Sequence, residues 1–417
     1  MDIFKEAQEK GVLAEGGGFD MLLFQVRTID LYKPQAVQWY QAQLKRLFEL
    51  GASAIKVDFG EHVRDYERYQ GYSGREMHNL FPLLYNQAAF EITREQFGQG
   101  LIWARSAYAG SQRYPVHWSG DNSSTFENML CSLRGGLSFG LSGFTFWSND
   151  VGGFTGTPSD KLYLRWTQFG IFNSHMRLHG GGPRYREPWN FAPETQDIFR
   201  RMMALRYRFL PYLYSEAHHS AQAGLPIMRP LVYEFQDDPT TFHIEDEFLF
   251  GHAVLVAPIL TEADERKIYL PAGLWADGWT GDLLTGPCWL DYRADLDRVP
   301  FFYRGGCAVP QGPSMQYVDE RPLDPLTLHI VPDGDGRAAY TMIDDGETVI
   351  VSGLLCHGVF DLQVESGPRR LELNIYSVEK IERLVCNGQE VKPGRAGADR
   401  YTAELRLPGP EKRSGDQ

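Results

Sequence analysis

Residues 34–59 read PQAVQWYQAQLKRLFELGASAIKVDF, and this stretch decides the fold. Val37, Tyr40, Leu44, Leu47 and Leu50 recur every three or four residues, the spacing of one face of an amphipathic helix over 34–50. Gly51 stops that helix. The run AIKVDF at 54–59 then has the length of a buried strand. The alternation continues outward. Residues 79–99 read as a helix, 101–104 as a strand, 124–133 as a helix and 143–147 as a strand; a helix over 194–219 precedes the apolar run 226–233. Helix and strand in turn argue for an α/β layer with parallel strands.

After residue 236 helical periodicity disappears. Short runs at 253–258, 267–270, 326–330, 348–352 and 371–375 are separated by Gly, Pro and Asp turns, the texture of an all-β region. Gly312-Pro313 and Pro322 suggest a division near 311–324. The expected domains are an α/β part over 1–236, a proximal β-sandwich over 237–316 and a distal one over 317–408. Residues 409–417 form a polar, frayed tail. No internal repeat or low-complexity tract is seen.

The chain has 417 residues, enough for two or three domains, and its 43% apolar and 23% charged content is that of a globular protein. A formal net charge of −13 opposes binding to phosphate backbones, so nucleic acid is not an expected partner. No run of about 18 apolar residues is present, so no membrane-spanning helix is expected. The opening MDIFKEAQEK is polar and amphipathic rather than signal-like. Cys131, Cys288, Cys307, Cys356 and Cys386 are scattered without a CxxC pair. Both features lead to an expected cytoplasmic location. The 13% aromatic content suits sugar stacking, and it suits large cores equally well.

Four segments could carry chemistry, each at or just past the end of an expected strand. The first is KVDFGE at 56–61, where Asp58 closes an apolar run. A turn-stabilising aspartate would explain it as well. A kinase DFG triplet would not, because no HRD loop is present and AIK directly precedes the triplet. The second, WARSAYAGSQRYPVHWSGDNSS at 103–124, holds Arg105, Trp118 and Asp121. An aromatic setting predicts poor solvation of Asp121 and favours its protonated form, as a general acid needs; the alternative is an N-cap for the helix near Ser124. Asn122 also begins a glycosylation sequon. The third, GLSGFTFWSNDVGGF at 140–154, holds Trp147, Asp150 and Phe154. The fourth, SHMRLHGG at 174–181, holds His175, Arg177 and His179. Two histidines four apart could bind zinc on a helix, but Gly180 ends any helix there and no HExxH is present. Paired carboxylates without a cofactor motif are the inventory of glycoside hydrolysis.

The chain resembles glycoside hydrolase family 31. KVDFGE is similar to that family's nucleophile segment in its α-xylosidase-like form, and ARSAYAGSQRYPVHWSGDN to its acid/base segment. LRGGLSFGLSGFTFWSNDVGGF, RLHG, LVAPIL and IYLPAGLWADGW follow in the family's order. The resemblance implies a retaining α-glycosidase on a (β/α)8 barrel followed by two all-β domains. Asp58 would be the nucleophile and Asp121 the acid/base, 63 residues apart on strands four and six. Their carboxyl groups would lie roughly 5–5.5 Å apart. Lys56, Arg105, Asp150 and His179 would bond the hydroxyls of the cleaved sugar, between walls of Trp118, Trp147 and Phe154. It implies no cofactor and no metal. The partner would be an oligosaccharide or other glycoside, and a homo-oligomer stays open.

One departure shapes the expectations. Only 57 residues precede Asp58, and they read as a loop and one helix, so strands four to eight are found without candidates for one to three. An unclosed barrel exposes strand edges and core, so the chain alone is expected to be poorly stable and inactive. The DFGE form favours an α-xyloside over an α-glucoside, with a sulfonated sugar third. The alternatives are a non-catalytic glycan-binding or assembly relative and a transglycosylase using the same carboxylates.

Overall fold

A computed structural model describes residues 3–16, 19–21, 24–182 and 185–407. The chain forms two compact units, residues 1–120 and 121–417.

In the first unit Pro34–Glu49 is helical, with Pro34 at the first turn, where its missing N–H costs nothing. The buried stripe is Ala36, Trp39, Leu44 and Phe48, while Leu47 and Leu50 face water. The helix is thus turned from the face that the spacing selects: Phe48 brings a ring to the core where Leu47 would bring a smaller side chain. Leu44 and Phe48 pack with Ile55, Val57, Ala89, Ile92, Ile102, Ala104 and Tyr114. Strand Ile55–Val57 runs parallel to Ile102–Ala104, and Ala104 pairs in parallel with His117 of strand His117–Trp118. Between the first two strands lies helix Gly74–Phe97. It starts five residues earlier than the apolar spacing predicts. Ser73 and Glu76 form a capping box, in which Ser73 N donates to the Glu76 carboxylate at 2.8 Å and Ser73 Oγ accepts from Glu76 N. The region before Asp58, expected to be a loop and one helix, also contains helix Ile3–Glu9 and the hairpin of Phe19–Met21 with Phe24–Val26.

In the second unit helix Phe126–Leu141 is capped by Thr125, whose Oγ1 accepts from Asn128 N at 3.1 Å, so Asp121 is not its cap. The strand expected over 143–147 is reduced to Trp147–Ser148. The helix expected over 194–219 is two, Pro193–Arg208 and Leu210–Ala223. Pro211 has no N–H to give the preceding turn, so the ladder cannot run through. Strand Met228–Pro230 pairs antiparallel with Phe248–Phe250. It therefore opens the β region instead of extending a parallel layer, and the change of architecture precedes residue 236.

Six strands between Met228 and Arg304 form one sheet, and ten between Cys307 and Arg406 form the next. The division expected near 311–324 is instead a loop, because Cys307–Gln311 pairs antiparallel with Leu326–Val331 in one sheet. Gly and Pro punctuate both linkers and intrasheet loops, so their presence could not distinguish the two. The tail expected over 409–417 lies outside the described residues. A continuous apolar cluster in this unit includes Met129, Trp166, Phe169, Phe250, Val256, Leu328 and Leu373. Among the described residues no helix is long and apolar enough to cross a membrane.

Candidate active site

Strand pairing positions the first group. Ile55 and Val57 face the core, which turns Lys56 and Asp58 together to the other face. Lys56 pairs with Trp103 and Val57 with Ala104, and Arg105 N donates to Val57 O at 3.1 Å. Asp58 and Arg105 therefore leave the sheet side by side. Lys56 Nζ donates to Asp58 Oδ2 at 2.9 Å, Arg105 Nη1 lies 3.0 Å from Oδ1, and Phe59 N donates to Oδ1 at 2.9 Å. Burial acts to raise the Asp58 pKa, but the Lys56 bond, the Phe59 N–H and Arg105 together outweigh it and hold the carboxyl below its ordinary value. The side chain remains 33% exposed.

The backbone turns sharply after Asp58. Phe59 has φ of 62°, a conformation rarely adopted by a bulky residue. Ser106 Oγ donates to Phe59 O at 2.8 Å, and Tyr85 OH to Asp58 O at 3.2 Å. The Arg105 guanidinium lies 4.6 Å from the Phe59 ring centre and also pairs with Glu61. Lys56 Nζ lies 4.8 Å from the ring centre of Trp118, which is buried. Lys56, Asp58, Arg105 and Trp118 are thus one constellation. Glu61, Tyr85 and Ser106 belong to it as well and were not singled out in the sequence; Glu61 lay in view as the last letter of KVDFGE.

In the second unit Asp121, Asp150, Phe154 and His179 stand on loops joined through their backbones. Phe154 N and Thr155 N donate to Asn122 O at 2.7 and 3.1 Å, and Gly181 N donates to Phe154 O at 2.8 Å. A Cβ on Gly153 would meet Ser124 N at 2.8 Å, so only glycine permits this approach. Asp121 is exposed, in contrast to the poor solvation predicted for it; the Phe154 ring turns to His179, with centroids 5.3 Å apart. Asp150 is fully buried, and its Oδ1 accepts from Arg177 Nε at 2.6 Å. Trp147 N donates to Ser174 Oγ at 2.9 Å, and the Trp147 ring packs on Phe139 at 5.2 Å.

Arg186 is the residue of this region that sequence reading missed. It is buried and donates to Gly153 O, Ser124 Oγ and Gly156 O at 2.8, 3.0 and 2.9 Å. Its signal was faint, since its acceptors are mostly main-chain atoms. His175 lies against Phe146, whereas His179 meets Phe154, and burial followed by Arg206 lowers the His175 pKa to about 4. Among the described residues no three His, Cys, Asp or Glu side chains are grouped to hold a metal ion. A groove of about 550 Å³, bordered by Trp189, Phe199 and Met315, contains none of the nine expected site residues.

The fold and the two groups define a β/α protein with polar side chains at the ends of its parallel strands and antiparallel sheets appended. Residues 1–216 match the family model for the glycosyl hydrolases family 31 TIM-barrel domain, and residues 224–309 match that for the glycosyl hydrolase family 31 C-terminal domain. The chain belongs to glycoside hydrolase family 31. It is 35% identical to the α-xylosidase of Emericella nidulans over 382 residues, which is 89% of this chain and 48% of that protein. It is 37% identical to α-glucosidase 2 of Bacillus thermoamyloliquefaciens over 279 residues, 66% of this chain and 35% of that one. A family 31 dextranase of Flavobacterium johnsoniae, solved with glucose, superposes with a TM-score of 0.87 at 27% identity, covering 96% of this chain and 58% of the dextranase. The chain spans half or less of the length of these two curated relatives.

Proposed function

We propose that this chain supplies the catalytic carboxylates of a retaining α-glycoside hydrolase, with Asp58 as nucleophile and Asp121 as acid and then base. The observation that carries the reading is Asp58: a carboxylate held ionised by Lys56 and Arg105 at a parallel strand's end, yet a third open to solvent. In the first step an Asp58 oxygen bonds to the anomeric carbon while the bond from that carbon to the leaving oxygen breaks. Asp121 gives that oxygen its proton. In the second step water attacks the same carbon, Asp121 takes the water's proton, and the ester bond to Asp58 breaks. Two inversions at one carbon give retention. Lys56 and Arg105 keep Asp58 in its attacking form. Asp150 with Arg177, and His179 with Phe154, are assigned to the hydroxyls and faces of the sugar, as are the Trp118 and Trp147 walls. Neither step calls for a cofactor.

The substrate favoured is an α-xyloside, on the DFGE form of the nucleophile segment; an α-glucoside comes next. The test compares aryl α-xyloside with aryl α-glucoside in the parent protein and in Asp58→Ala and Asp121→Ala. Asp58→Ala should fall to background. Asp121→Ala should lose about 100- to 10,000-fold on leaving groups that need a proton. Proton NMR should show the α-anomer first. An initial β-anomer, or an active Asp58→Ala, overturns the assignment.

A further inference from the structure

We propose that Arg186 is the positioning residue for the Asp121 carboxylate. The inference rests on the reading of Asp121 as acid/base. Arg186 is 1% exposed, and its planar donor set meets two separate parts of the chain, Ser124 and the segment 153–156. Nε donates to Gly153 O at 2.8 Å. Nη2 donates to Ser124 Oγ at 3.0 Å, to Gly156 O at 2.9 Å and to Phe154 O at 3.3 Å. Its own carbonyl accepts from Tyr163 OH at 2.8 Å, which anchors it to helix Asp160–Gly170. Space for the guanidinium comes from Gly180, where a Cβ would lie 2.8 Å from Arg186 Nε and Cζ.

The segment held by Arg186 is the one that holds the acid. Phe154 N and Thr155 N both grip Asn122 O, and Thr155 O accepts from Ser124 N at 2.8 Å. Asn122 directly follows Asp121, so the main chain on one side of the carboxylate is held by amides of the same 153–156 segment whose carbonyls Arg186 holds. Gly181 N on Phe154 O ties the loop of His179 to the same segment. Lysine has one point of charge and no planar fork, so it cannot span the same set of acceptors.

The test uses two substrates that differ in their need for an acid. Arg186→Lys should lower kcat/KM of an aryl glycoside with a poor leaving group by about 100-fold, the cost of displacing a catalytic group by about an ångström. The kcat/KM of the matching glycosyl fluoride, which reports only the first step and whose leaving group departs without a proton, should change by less than about threefold. Ser124→Ala, a gentler change, should act in the same direction. Equal losses on both substrates overturn the proposal, because a loss of folded protein would produce them. Asp121→Ala must show the split too; if it does not, the reading of Asp121 fails, whereas a split there without one in Arg186→Lys defeats this inference alone. Hydrogen exchange reads the clamp without turnover. In Arg186→Lys the amides of Ser124, Phe154, Thr155 and Gly181 should lose protection while strand Leu326–Val331 keeps it. Unchanged protection at those four amides also overturns the proposal.

Discussion

In the proposed mechanism Asp58 and its two cations, Lys56 and Arg105, govern the chemistry. A carboxyl held below its ordinary pKa contributes stability above its unfolded value, near 4, and loses it as pH falls through the folded value. At 33% exposure water screens that contribution, so the effect belongs to activity rather than to stability. Lys56→Met removes the strongest of the lowering interactions and leaves Arg105 and the Phe59 N–H in place. The acidic limb of the kcat/KM profile should then move to higher pH. A profile that stays put would show that Lys56 does not tune Asp58. Gly180→Ala sets a Cβ against the Arg186 guanidinium and should cost about 1–3 kcal/mol in urea unfolding, the usual penalty of overpacking. Asp58 with Lys56 was legible in the sequence because two residues spaced by two on a strand share a face. Arg186 was not, because its partners are main-chain carbonyls 30 to 33 positions away and one serine hydroxyl 62 away, and no local side-chain pattern records them.

Helix Leu210–Ala223 joins the six-stranded and ten-stranded sheets of its unit. Glu216 on this helix is fully buried and is met by three residues from elsewhere: His252, through N at 3.1 Å and Nδ1 at 3.0 Å, Tyr340 OH at 2.9 Å and, at 3.8 Å, Arg229 Nη2. His252 lies between the strands of the first sheet and Tyr340 lies in the second. Burial opposes the charge of His252, but Cys307 and Glu216 outweigh it and push its pKa up to about 10. Burial likewise opposes ionised Glu216, while His219, His252 and Arg229 hold it far below the carboxylate range. The raised histidine contributes stability below about pH 6.5 and loses it as pH rises through 10. The lowered glutamate contributes above about 4.5 and loses it in acid. Stability from this cluster should therefore be greatest near pH 5–6 and smaller at 9.5, reduced by screening because the His252 side chain is 37% exposed. Glu216→Gln should cost about 1–3 kcal/mol at pH 6, since it removes the charge facing His252 while Arg229 keeps Glu234, and should flatten the decline toward alkaline pH. A variant as stable as the parent, with the same pH slope, would contradict this. The element boundaries themselves were partly written in the sequence. Ser73 and Glu76 spell a capping box and Pro211 a break, but apolar spacing alone looks past both.

At the scale of the molecule, the two β-sheets and the helices beside them in the second unit share one apolar cluster. Leu373, 1% exposed in strand Arg370–Tyr376, should cost about 2–5 kcal/mol as Leu373→Ala. Amide protection should fall in helix Leu210–Ala223 along with the strands; a fall confined to the strands would show that the sheets melt separately. The all-β character of the C-terminal part was legible from its turns. The sheet boundary was not, because pairing between Cys307–Gln311 and Leu326–Val331 is a long-range choice that local punctuation cannot express. In the proposed mechanism Asp58 becomes bonded to the sugar during turnover. A fluorinated glycosyl fluoride, whose first step outruns its second, would trap that state for mass spectrometry of the digested protein. One sugar mass is expected on the peptide containing Asp58, absent in Asp58→Ala. A label on another residue, or full turnover with no covalent adduct, would contradict it.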